Sequence, residues 1–148
     1  ANPMRLSITN LRAQAVSTWV IFGHNTRRIK LNYLPNEIVL STKATTKFSY
    51  IKQKVGITPN IMARIAILKA LELDLKPANL EVPESLNQKI PRDIAFGDYS
   101  DVFNFGIKEY IDNHSYNGDI KELFTNLIET GSYKIGNIKK FQDLQSLL

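Results

Sequence analysis

Apolar positions along the chain fall into periodic stretches separated by turn residues. The clearest covers residues 42–55, where Ala44, Phe48, Ile51 and Val55 recur at i, i+4, i+7 and i+11. That spacing is one buried stripe of an amphipathic helix. Immediately before it, "NEIVLS" reads as a short strand ending at Ser41, a residue suited to cap the helix. Gly56 stands where a left-handed C′ residue is expected. Thr58 then suits an N-cap and Pro59 the first helical position, because the N–H that proline lacks would have no helical partner there. The second helix runs to about Leu73, with Ile61, Ile65, Ile67, Leu68 and Leu71 as a broad apolar face.

Downstream, residues 74–97 carry Pro77, Pro83 and Pro91 and read as a long irregular connection. A third helix is expected from about Asp98, burying Tyr99, Val102, Phe103, Ile107, Tyr110 and Ile111. A fourth covers residues 119–130, with Ile120, Leu123, Phe124, Leu127 and Ile128 inward and Gly131 as its stop. Asn137 caps a last helix through Ile138, Phe141, Leu144 and Leu148. Upstream, Asn10 caps a helix over residues 11–22, and "RRIKLNYL" alternates as a strand with Ile29, Leu31 and Tyr33 on one face. The pattern is that of a mainly helical protein without internal repeats. The expected organisation is an N-terminal extension, residues 1–34, and one helical domain over residues 35–148.

Composition narrows the chemistry. The chain has 148 residues, enough for one domain with a core, and 43% hydrophobic with 22% charged residues is ordinary for a soluble globular protein. No apolar run is long enough to span a bilayer, and no secretory pattern opens the chain, so a cytoplasmic location is expected. Cysteine is absent, which removes disulfides, thiolate metal sites and cysteine nucleophiles. His24 and His114 stand ninety residues apart, so a histidine metal site or triad has little to build from. They read as surface or turn residues. No phosphate-binding glycine loop or nucleophile elbow is present. The chain is not expected to be an enzyme by itself, nor to hold a cofactor or metal.

Charge changes the picture more. Residues 1–71 hold eleven basic side chains against the single acid Glu37, a net +10, while the remaining 77 hold eight basic and thirteen acidic ones, a net −5. Such asymmetry is a footprint of a polyanion binder; a solvated surface or a patch that docks an acidic protein has the same composition. Lys43, Lys47 and Lys54 share one face of the first helix by their spacing. The turn after it, Gly56–Ile57–Thr58–Pro59–Asn60, opens a helix whose N–H groups at Asn60 and Ile61 and positive dipole end suit a phosphate. Lys54 and Arg64 flank it. The same punctuation is equally an efficient connector between two helices with no ligand at all.

Strand, basic helix, turn and second helix come in the order of a ribbon-helix-helix unit. Units of that type dimerise, because a lone strand must find a partner for its backbone groups. Base reading by the strand is poorly supported: one face shows Ile38 and Leu40, the other Glu37, Val39 and Ser41. Contact between lysines and the phosphate backbone fits better.

Residues 37–73, "EIVLSTKATTKFSYIKQKVGITPNIMARIAILKALEL", resemble the N-terminal half of the DndE family of bacterial DNA phosphorothioation systems. The shared pattern is a strand ending in Leu-Ser, a lysine-bearing helix, Gly-Ile-Thr-Pro-Asn and an Arg-Ile-Ala helix. "IAFGDYSDVFNFGIKEYI" resembles the family's second block, and "LIETGSYKIGNIKKFQDLQSLL" agrees more weakly with its C-terminal end. The resemblance implies a cytoplasmic, non-catalytic partner of the machinery that replaces a non-bridging phosphate oxygen of DNA by sulfur. It implies a homotetramer that binds nicked double-stranded DNA through surface lysines. Carried over, the DNA-binding residues are Lys43, Lys47, Lys52, Lys54, Asn60 and Arg64, with Gly56, Thr58 and Pro59 forming the helix–helix turn. Arg64 has a structural alternative, covering the core edge or pairing with an acid. Two other readings stand beside this one: a ribbon-helix-helix repressor or antitoxin, and a scaffold whose basic half docks an acidic partner subunit.

Overall fold

A computed structural model describes residues 32–136 and 140–146. In chain order the elements are β1 (Glu37–Ser41), α1 (Thr42–Val55), α2 (Pro59–Leu73), a 3-10 turn (Pro77–Asn79), β2 (Leu86–Pro91), α3 (Arg92–Phe96), a second 3-10 turn (Gly97–Tyr99), α4 (Ser100–His114), α5 (Ile120–Ile135) and α6 (Phe141–Gln145). The described residues are thus mainly helical, with one small antiparallel sheet. The expected helix over residues 11–22 and the expected cap at Asn137 lie outside the described residues, as does most of the "RRIKLNYL" strand. Its last residues, Asn32 to Leu34, are irregular, and Leu34 is buried in the core.

The strand–helix–turn–helix segment forms where its punctuation places it. Ser41 Oγ accepts a hydrogen bond from the Ala44 N–H at 2.9 Å, satisfying one of the donors left over at the start of α1. At the other end Gly56 adopts φ 78° and its N–H donates to the Lys52 carbonyl at 2.9 Å. Ala44, Phe48 and Ile51 are buried, and Val55 is half-buried against the core. Helix α2 begins on Pro59 and ends at Asp74, a non-glycine residue at φ 53°. Asp is among the few residues that visit this region readily. Its carboxylate lies 2.8 Å from His114 Nε2 in the last turn of α4, so the end of one helix is tied to the end of another. His114 is half-buried there, with its ring 4.4 Å from that of Tyr110.

The stretch expected to be irregular contains a strand. β2 runs antiparallel to β1 with Glu37 opposite Pro91, Ile38 opposite Ile90, Val39 opposite Lys89 and Ser41 opposite Leu86, and an irregularity between Val39 and Ser41. Its residues hide it, because only Ile90 is buried and no apolar alternation marks the strand. Pro91 ends the strand, where the N–H that proline lacks costs little. The backbone partner that β1 was expected to seek in a second copy is supplied by the chain itself.

Three further expectations are corrected. Of the expected face of α2, Ile67 is buried and Ile65, Leu68 and Leu71 pack half-buried against the core, but Ile61 is exposed, and Met62, Ala63, Ala66 and Ala70 complete the buried side. Helix α4 starts at Ser100, and Tyr99 is exposed rather than core. Helix α5 does not stop at Gly131 but runs through it to Ile135, with Gly136 at φ 71° following. The first and third corrections share a cause. The α2–α5 contact is the broadest helix pair in the fold, and small residues let the two backbones come together. Phe96 completes the core, with ring centroids 5.3 Å from Phe103 and 5.5 Å from Phe124.

Candidate nucleic-acid interface

Helix α1 carries four lysines and no acid, and the fold treats the four differently. Lys43, Lys52 and Lys54 are exposed. Lys54 Nζ lies over the ring of Tyr50, 5.6 Å from its centroid. Among the described residues no carboxylate forms a salt bridge with any of these three lysines. Lys52 projects from the far side of the helix, since nine residues after Lys43 is half a turn out of phase.

Lys47 is held inward. Its ammonium donates to the Ser132 carbonyl of α5 and stands near the Glu129 carboxylate. Burial lowers its pKa and the charge of Glu129 opposes that shift. Glu129 is itself 1% exposed and accepts a hydrogen bond from Ser41 Oγ. Tyr133, one turn on, lies near Glu129 and Lys43; Glu129 and burial raise its pKa, and Lys43 opposes them. One buried carboxylate on α5 therefore anchors the capped start of α1 and the lysine one turn into it. No sequence spacing signals this pairing, because Ser41 and Glu129 are 88 residues apart.

The turn residues divide likewise. Thr58 makes no side-chain capping bond, so its hydroxyl leaves the first N–H groups of α2 uncovered. Asn60 Nδ2 donates to the Ile94 carbonyl at 3.2 Å. Arg64 Nε donates to the Ala95 carbonyl at 2.7 Å and Nη2 to the Ile94 carbonyl at 3.0 Å, with the guanidinium 5.7 Å from the centre of the Tyr99 ring. Both side chains thus bind carbonyls of the short helix α3, where a positive charge also suits the carbonyl end of the peptide dipoles. Arg64 follows its structural alternative in covering the core edge, through carbonyls rather than an acid.

The six residues do not converge on one point. Lys43 and Lys54 share an edge of α1, Lys52 lies across the helix, and Asn60 and Arg64 brace α2 against α3. Among the described residues no group of three His, Cys, Asp or Glu side chains is placed to hold a metal ion, and no helix is long and apolar enough to cross a membrane. The arrangement offers full positive charges on the exposed side of a helix. Comparison with known proteins adds the family: the model of DNA sulphur modification protein DndE matches residues 37–143. No curated protein and no solved structure matches.

Proposed function

The chain belongs to the DndE family of DNA sulphur modification proteins, and from that premise we propose that it is a non-catalytic DNA-binding subunit of bacterial phosphorothioate modification. It grips the phosphate backbone of double-stranded DNA, nicked DNA included. Lys43, Lys52 and Lys54 make the contacts, while Lys47, Asn60 and Arg64 hold the helices that present them. In this reading residues 35–148 act as one unit in the cytoplasm, as a homotetramer with other phosphorothioation subunits as partners. Residues 1–34 are an extension to that unit.

One observation carries the reading: three lysines on a helix without acids stand exposed, and among the described residues none of the three is in a salt bridge. Neutralising a phosphate with such a group releases counterions whatever the base sequence. The faces of β1 support backbone contact over base reading, since Ile38, Val39, Leu40 and Ser41 are all buried.

The test is fluorescence-anisotropy binding to one duplex, intact and singly nicked, across a salt series and with the sequence around the nick varied. The proposal expects affinity to fall steeply with salt, to favour the nicked duplex and to ignore its sequence. A preference for one intact palindrome would support a ribbon-helix-helix repressor instead. Negligible binding to every duplex, with tight binding to an acidic partner subunit, would support a scaffold.

A further inference from the structure

Tyr50 has no part in gripping phosphates, and the core does not use it either. It is 41% exposed on a helix whose buried stripe is filled by Ala44, Phe48 and Ile51. A single exposed ring is ordinary on a protein surface; what marks this one is its place between two exposed lysines on a helix without acids. Tyr50 follows Lys43 by seven residues and precedes Lys54 by four, so the three lie on one edge of α1. The rise of the helix spreads that edge over about 16 Å. Tyr133 of α5, 45% exposed, lies near the Lys43 end of that edge. Two rings therefore accompany two ammonium groups on one surface.

We infer that this edge is a stacking site for unpaired nucleobases, with Tyr50 receiving a base and Lys43 and Lys54 the phosphates beside it. The inference rests on the phosphate-binding reading above and adds a second element to it. Lysines alone suffice for a closed duplex, whose bases are already stacked on one another. A ring between lysines gains something only where a base is open, at a gap or a frayed end. Proteins that hold single strands combine the same two elements, a cationic track and aromatic platforms that accept any base. The acid-free helix favours a polyanion over an apolar protein partner, because an apolar surface docking on Tyr50 would bury the neighbouring Lys54 ammonium without a counter-charge, whereas a nucleotide brings a phosphate to it.

The experiment compares a short gapped duplex, carrying 2-aminopurine in the gap, with the intact duplex. It uses the full chain, Tyr50→Ala and Tyr50→Phe. The inference expects the wild-type chain to bind the gapped duplex more tightly and to quench the 2-aminopurine. Tyr50→Ala should weaken gapped binding roughly five- to thirtyfold and abolish the quench, while intact-duplex affinity and its salt slope stay the same. Tyr50→Phe, which keeps the ring, should behave as wild type. Unchanged gapped affinity and quenching in Tyr50→Ala would overturn the stacking site and leave phosphate binding standing. Absence of salt-dependent binding of the wild-type chain to either DNA would overturn both. Tyr133 is left intact, because it also lies beside the buried Glu129.

Discussion

A side-chain carbon added at Gly131 would stand 1.9 Å from the carbonyl oxygen of Ala66. Helix α5 thus crosses α2 with no room for even a methyl group, and the obstacle is backbone rather than a side chain that can turn aside. The residues around this crossing, Ala63, Ala66, Ala70 and Gly131, are small for the same reason. Close approach here brings Glu129 and Ser132 of α5 to the start of α1.

Gly131→Ala is expected to destabilise the fold by about 3 kcal/mol, the upper end of the usual overpacking range. Trimming the neighbour, as in the double variant with Ala66→Gly, should not restore stability, because the clashing oxygen remains. Urea denaturation of the wild-type chain and both variants checks this, and a stable Gly131→Ala would show that the helices do not approach so closely.

Lysines on α1 should separate into two classes. Lys47→Ala removes the donor to Ser132 and leaves the buried Glu129 without its nearby cation, a loss of about 2 kcal/mol. Lys43→Ala and Lys52→Ala, on the exposed surface, should change stability by less than about 0.5 kcal/mol. They should nevertheless weaken DNA binding for all sequences alike and lower the salt slope by about one for each lost phosphate contact. Equal destabilisation by all three in urea would contradict the division.

Arg64 is expected to matter by shape rather than by charge. Its planar fork reaches the carbonyls of both Ile94 and Ala95, a geometry that a single ammonium does not reproduce. Arg64→Lys should cost about 1–3 kcal/mol in thermal or urea unfolding while leaving the salt slope of DNA binding unchanged. A reduced slope at unchanged stability would place Arg64 on the DNA instead.

Glu37 connects stability to pH. The hydrogen bond from Lys121 at 2.7 Å, then the charges of Lys121 and Lys89, hold its pKa below the usual 4.5 despite an opposing effect of burial. A carboxylate whose folded pKa is depressed adds stability that is complete above the unfolded value. That contribution is lost as pH falls below 4.5 and through the folded value. The melting temperature of Glu37→Gln should therefore lie below that of wild type at pH 7, and the gap should close on acidification through this range. A gap that is constant from pH 7 to pH 3 would argue against the Lys121 pairing.

Local punctuation was legible where one short segment decides its own conformation. Ser41 before α1, Gly56 after it and Pro59 at the start of α2 each stand at the expected position, because capping and left-handed geometry depend on neighbours within a turn. β2 was not legible. Its conformation comes from backbone pairing with β1, and residues such as Asn87, Gln88 and Lys89 carry no strand signature of their own. The buried side of α2 was legible only in part: hydrophobicity picks out Ile67 and the half-buried Ile65, Leu68 and Leu71, whereas the distance of closest approach favours alanine, and Ile61 is left exposed.

The candidate site divides along the same line. Sequence alone determined that α1 is a helix, that it is basic and free of acids, and that residues 37–73 resemble one family; periodicity, side-chain charge and motif are properties of the chain by itself. Tertiary structure decided which cations remain available. Lys43 and Lys47 are alike in charge and lie on one helical edge, yet α5 approaches so closely that Lys47 meets the Ser132 carbonyl and Glu129 while Lys43 stays at the surface. A lysine's partners are set by groups distant in the chain, and only the packing of α5 beside α1 brings them within reach.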